Sequence, residues 1–145
     1  MTDLPPLPEG YEFSADPARV DAVRVHHWLS TDAYWALGRT RDRHDAAMAG
    51  SLNFGVYDAV TGAQAAYARA VTDRATFGWL CDVYVDPAVR GEGIGVALVA
   101  RAREELRAFG LRRILLATHD AHGVYARLGF EPLERPDHWM ALQLG

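Results

Sequence analysis

The stretch "VYVDPAVRGEGIGVAL", residues 83–98, decides the fold. An apolar run rich in β-branched and aromatic residues reads as a strand. It meets Asp86-Pro87, and three glycines then alternate at Gly91, Gly93 and Gly95 beside Arg90. Beyond them the pattern turns helical. Ile94, Leu98, Ala102, Leu106 and Phe109 fall on one face, and Arg101, Glu104, Glu105 and Arg107 on the other. A strand that ends in a Gly-rich turn and restarts as a helix makes an anion site. The first helical N–H groups are unpaired, the helix dipole is positive there, and glycine lets the backbone come close.

Around this unit the chain reads as one α/β domain. Residues 1–10 form a tail, and the domain spans 11–145. A first strand near Tyr11–Ser14 precedes a helix from about Pro17 to Leu29, with Asp16 as cap. "STDAYWALGRT" is a loop or a short turn of helix, and "RDRHDAAMAG" a second short helix stopped at Gly50. Leu52–Asp58 and Gln64–Val71 alternate around Thr61-Gly62 as a hairpin. "TFGWLCDVYV" is a central strand. "RRILLAT" returns parallel to it, because a helix joins the two. "HGVYARLG" is a short helix with Asp120 as its cap, and "FEPLERPDHWMALQL" supplies a last strand pair.

Composition narrows the function. The chain has 145 residues, half of them apolar, which suits one core and not two. Its net charge is −4, and all fifteen basic residues are arginine. That balance argues against nucleic-acid binding, which wants a basic face. No apolar run is long enough to span a membrane. The Pro-rich start has no signal-peptide pattern, and Cys81 stands alone, so the cytoplasm is the expected compartment.

Three nucleotide patterns compete for the turn. A Walker A loop needs a lysine, and the chain has none. The dinucleotide pattern G-x-G-x-x-G fails in both registers, where Val96 or Leu98 stands at the last position. Arg-x-x-Gly-x-Gly is satisfied by Arg90, Gly93 and Gly95.

On these residues the chain resembles the GCN5-related N-acetyltransferases (GNAT). "VYVDPAVRGEGIGVALVARARE" is similar to that family's coenzyme A motif. "HDAHGVYARLGFEPL" is similar to its next motif, with Tyr125, Gly129 and Phe130 in place. Thr118 departs from the asparagine that many members carry. The resemblance implies a mixed, mostly antiparallel sheet of six or seven strands, splayed between the fourth and fifth and flanked by about four helices. It implies acetyl-CoA as co-substrate, with no metal. Acetyl-pantetheine lies along the backbone of Val83, Tyr84 and Val85, and the pyrophosphate sits on Arg90, Gly91, Glu92, Gly93, Ile94, Gly95 and Val96. Tyr125 is then the acid that protonates the departing thiolate. Members often dimerise through the last strands, so a homodimer is a further expectation.

Acetyl transfer to an amine needs an oxyanion donor, a base and an acid. Asp82 is a carboxylate in an otherwise apolar strand. It either binds or deprotonates the amine, or pairs with an arginine such as Arg69 on a neighbouring strand. Trp28, Tyr34 and Trp35 are expected to line the acceptor site with His119, while His27 and Ser30 offer polar contacts. For Trp28, on the apolar helix face, core packing is the favoured reading. His119 and His122 around Asp120 lack further metal ligands, and Cys81 fits a small buried hydrophobe better than a nucleophile. The expected acceptor is a small amine or an amino acid, with a peptide amine as alternative. A non-catalytic acyl-CoA sensor and O-acetyl or longer-acyl transfer are the competing functions.

Overall fold

The structure is a computed structural model that describes residues 4–145; residues 1–3 of the expected tail lie outside it. A single sheet of five strands runs in sequence order. Strands β1 (Tyr11–Ser14), β2 (Leu52–Asp58), β3 (Gln64–Thr72) and β4 (Phe77–Val85) pair antiparallel, and β5 (Arg113–Leu115) joins β4 in parallel. Four α-helices accompany it: α1 (Ala22–Asp32), α2 (Arg41–Ala49), α3 (Ile94–Arg107) and α4 (His122–Ala126).

The alternation of β3 sorts the core. Ala66, Ala68 and Ala70 meet α3 through Ile94, Leu98, Ala102 and Leu106. Tyr67, on the other face, packs with Val25, Trp28 and Leu29 of α1 and with Tyr84 of β4. The small alanines let α3 lie close, so its leucines are fully buried. Removing one of them, as in Leu98→Ala, costs about 2–5 kcal/mol.

Helix starts follow local chemistry. The expected helix from Pro17 begins instead as a short 3₁₀ turn, Pro17–Arg19, capped by Asp16. It then restarts at Ala22, where the Asp21 carboxylate accepts from Arg24 N–H, and it runs on through Ser30 to Asp32. Thr40 caps α2 in the same way, accepting from Arg43 N–H. Asp120 does not cap α4. The residue there is Ala121, and its N–H donates to Thr118 Oγ1 at 3.0 Å.

One expectation about the sheet is corrected. Residues 130–145 contain a 3₁₀ turn at Pro136–His138 and no strand, so the described sheet has five strands rather than six or seven. The segment has strand-like alternation, but a strand exists only if a neighbour takes its N–H and C=O groups, and none among the described residues does. Met140, Leu142 and Leu144 are left exposed.

Candidate functional site

Strands β4 and β5 pair only from Phe77–Arg113 to Trp79–Leu115. Beyond that they separate. The gap opens into a cavity of about 1040 Å³, walled by Cys81–Val85 on one side and Leu116–Ala121 with Tyr125 on the other. The β4 edge is therefore unpaired where the backbone of Val83, Tyr84 and Val85 faces the gap.

The turn that follows β4 is shaped by backbone, not by side chains. Gly91 and Gly93 have φ of +87° and +86°, a region L side chains rarely adopt. Gly93 is the N-cap of α3, and no side chain caps that helix. Its first N–H groups thus stay available for an anion, unlike those of α1 and α2. At Gly95 a Cβ would lie 3.2 Å from Val85 Cγ2, so the helix start sits tight against the end of β4. Glu92, Ile94 and Val96 complete this segment, with Ile94 anchored in the core. Arg90 folds back. Its Nε donates to Val85 C=O at 2.9 Å, its guanidinium stands over the Tyr84 ring, and Nη2 is 3.4 Å from Asp32. Tyr84 donates its hydroxyl proton to Asp32. Burial, with the Asp32 carboxylate second, pushes the Tyr84 phenol up to about 12.

Asp82 marks a break in β4. Tyr67 pairs with Tyr84 and Arg69 with Cys81, so β4 holds one more residue than β3 between those rungs. This is a β-bulge, and Asp82 sits in it with φ +53°, which is uncommon outside glycine. Bulges re-aim side chains, and here the bulge lets both Asp82 and Tyr84 turn toward α1.

The Asp82 carboxylate is saturated. Oδ1 accepts from Trp35 Nε1 at 2.8 Å and from Arg39 Nη2 at 3.3 Å. Oδ2 accepts from Arg39 Nη1 at 2.7 Å and from Arg69 Nε at 2.6 Å. Its side chain is 2% exposed. Burial by itself would raise this carboxyl, but the hydrogen bonds from Arg39 and Arg69 outweigh it and hold the group below the usual range. Of the two expected roles, the ion pair with Arg69 is present, and Arg39 and Trp35 join it. Four donors occupy the lone pairs that a base would need.

The remaining expected residues divide. Tyr34, Trp35 and His119 stand on the cavity wall. The Tyr34 and Trp35 rings meet edge to face at 5.0 Å, and His119 N–H donates to the Tyr34 hydroxyl. The α1–α2 loop thereby reaches across to the segment after β5. Trp28 is not on that wall. It is 7% exposed and stacks on Tyr84, so it belongs to the core, because its place on the apolar stripe of α1 turns it inward. Tyr125 lines the cavity and packs against Phe130. Burial first, then Tyr34 and Asp120, raise its phenol, which keeps it protonated. Burial pushes the Cys81 thiol up to about 11, away from nucleophilic character.

Sequence reasoning did not find Arg39 or Asp32. Neither lies near a motif, and each reaches the site only through the path of the α1–α2 connection. The one available signal was Asp82 itself, a charge in a strand that required partners.

Comparison with known proteins agrees with this geometry. The sequence model of the acetyltransferase (GNAT) family matches residues 22–130. A Gibberella zeae protein provisionally named an acetyltransferase, FG08082, is 30% identical over 135 residues, covering 81% of this chain and 76% of its own. The crystal structure of a GNAT-family protein from Xanthomonas campestris pv. campestris, xcc2953, superposes with a TM-score of 0.88 at 39% identity, over 96% of each chain. A Clostridium acetobutylicum protein crystallised with acetyl-CoA shares the fold, with a TM-score of 0.63 at 16% identity over 92% of this chain and 94% of that one. With the splayed strands, the glycine turn and the cavity between them already in place, these matches put the chain in the GNAT family of acetyltransferases.

Proposed function

We propose that this protein transfers the acetyl group of acetyl-CoA to a primary amine of a small molecule or amino acid, by direct attack in a ternary complex. The observation that carries the reading is the continuity of two features. The unpaired β4 edge at Val83–Val85 runs directly into an α3 start that no side chain caps. An extended pantetheine arm suits the first and a pyrophosphate the second. The turn Arg90–Val96 has the backbone freedom and the nearby guanidinium that this binding needs.

The chemistry follows from the walls of the gap. The amine nitrogen attacks the thioester carbonyl, a C–N bond forms, and the oxygen takes negative charge. A backbone N–H of β4 at the bulge supports that oxyanion. The C–S bond then breaks, and the thiolate takes the proton of the Tyr125 hydroxyl, which solvent later replaces. His119, on the wall beside Tyr34, relays the proton lost by the amine. Asp82 holds Arg39, Arg69 and Trp35 in place instead of acting as a base. The reading requires no metal, and among the described residues no group of side chains is arranged to hold one. No described helix is long and apolar enough to cross a membrane.

We further propose that residues 11–145 form the catalytic unit and that two copies pair through the C-terminal segment. The exposed, alternating Met140, Leu142 and Leu144 support this pairing. Sedimentation of the full chain should give a dimer, and the variant Met140→Asp/Leu142→Asp a monomer.

The central test is release of free thiol from acetyl-CoA against a panel of amines, amino acids and peptides. Acceptor-dependent release is expected. Tight CoA binding without such release across the panel would replace the enzyme with an acyl-CoA sensor.

A further inference from the structure

The acceptor end of the cavity holds an uneven set of charges. Arg39 and Arg69 both line the cavity, and both spend their hydrogen bonds on the single carboxylate of Asp82. Arg69 Nη1 also reaches Ser51 Oγ at 3.1 Å. That leaves Arg39 Nε and Arg69 Nη2 without a hydrogen-bond partner among the described residues. Their side chains are 14% and 15% exposed, so these open edges keep a narrow contact with the solvent of the cavity. Two guanidinium groups against one carboxylate leave one positive charge uncompensated. His44, packed beside this cluster through His26, adds no further positive charge. Burial, with the His26 and Arg39 charges, lowers its proton affinity and keeps it neutral.

Other charges of the cavity lie elsewhere. Asp32 is engaged with Tyr84 and Arg90 at the turn. Asp120 is on the opposite wall, where its charge contributes to the raised Tyr125 phenol. The cavity is therefore polarised, positive at Arg39 and Arg69 and negative toward Asp120 and Tyr125. Trp35 and Trp79, both exposed, add aromatic surface to its lining.

Resting on the acetyltransferase reading, we infer that the acceptor is an amine that carries a carboxylate, an amino acid or a close relative. Its carboxylate pairs with the open edges of Arg39 and Arg69 and completes the charge balance that Asp82 only half supplies. Its amine then points toward the Asp120–Tyr125 wall, where the thioester reacts. A plain cationic amine has no group to pair with the two guanidinium edges and adds a further positive charge beside them. A doubly charged phosphate overshoots the single excess charge.

Matched acceptors test this on the unaltered protein: an amino acid, its carboxamide, its decarboxylated amine and the corresponding aminoalkyl phosphate. The carboxylate compound should have a kcat/KM about 10- to 100-fold above the carboxamide, the range expected for a charge-assisted hydrogen-bonded pair. Arg69→Gln and Arg39→Gln should shrink that ratio toward one, a readout that general loss of structure does not produce. Calorimetric titration of the same compounds into the CoA-loaded protein gives a second arm that does not depend on turnover. Binding of the amino acid well above its carboxamide supports the inference even if no thiol is released, in which case only the acetyltransferase reading fails. Equal or better binding and turnover of the carboxamide, the decarboxylated amine or the phosphate overturns it.

Discussion

At the cofactor end of the cavity, residues 90–95 act through their own backbone. Gly91 and Gly93 hold positive φ, α3 starts without a side-chain cap, and the N–H groups face outward. At the acceptor end, Asp82, Arg39, Arg69 and Trp35 arrive from three separate segments, β4, β3 and the α1–α2 connection, and act through side chains. A backbone site is a local property of a few consecutive residues. A side-chain site of this kind exists only after the sheet and helices have assembled, so substitutions there act on stability and acceptor use together. At the cofactor end they should act on CoA affinity and leave acceptor selectivity unchanged.

The largest separation should come from Tyr125→Phe. The phenyl ring keeps its packing against Phe130, while the acid for the thiolate is gone. A fall in kcat of about 100-fold or more is expected, in the range for general acid–base groups, with CoA affinity unchanged. Asp82→Asn comes next. Asparagine tolerates the positive φ of the bulge, so the change isolates the charge. It leaves Arg39 and Arg69 facing each other without a counter-ion, and thermal or denaturant unfolding should show a loss of about 3–5 kcal/mol. CoA affinity should hold, and an equal loss of both would break the division between the two ends. Gly93→Val should do the reverse. A side chain at φ +86° costs about 1–2 kcal/mol in the turn, and calorimetry should show CoA binding weakened about tenfold while acceptor selectivity stays.

The smallest expected effect is a pH dependence at the acceptor end. Burial holds His44 below its ordinary pKa. The unfolded chain therefore takes up this proton more readily than the folded one. His44 should contribute nothing to the slope of stability above the unfolded value of about 6.5, and a progressive loss as pH falls below it. Unfolding curves between about pH 6.5 and 5 should show this decline, and His44→Leu should flatten it.

The legibility of the two ends in the sequence follows the same division. The glycine spacing, the preceding strand and the amphipathic α3 could be read because each is set by neighbours in the chain. So could the splay of β4 from β5, through the resemblance these residues carry. The pairing of Asp82 with Arg69 was one of two open readings, since a lone strand carboxylate needs a partner. Arg39 could not be found, because its approach depends on how the connection after α1 turns at Ala33–Gly38. Trp28 carries two readings for a related reason: an aromatic on a helix stripe has the same local pattern whether it faces core or cavity, and here it packs in the core. The absent strand pair after Phe130 has a different cause. Alternation reports what a segment can do, and pairing requires a neighbour that the described residues do not offer.

The account stands most directly on where the acetyl group goes. A single turnover of acetyl-CoA with an amino acid acceptor, quenched and analysed by mass spectrometry, should show the acetyl group on the acceptor nitrogen and none on the protein. Unchanged acceptor beside tightly bound, intact acetyl-CoA, or an acetyl group retained on Cys81, would contradict it.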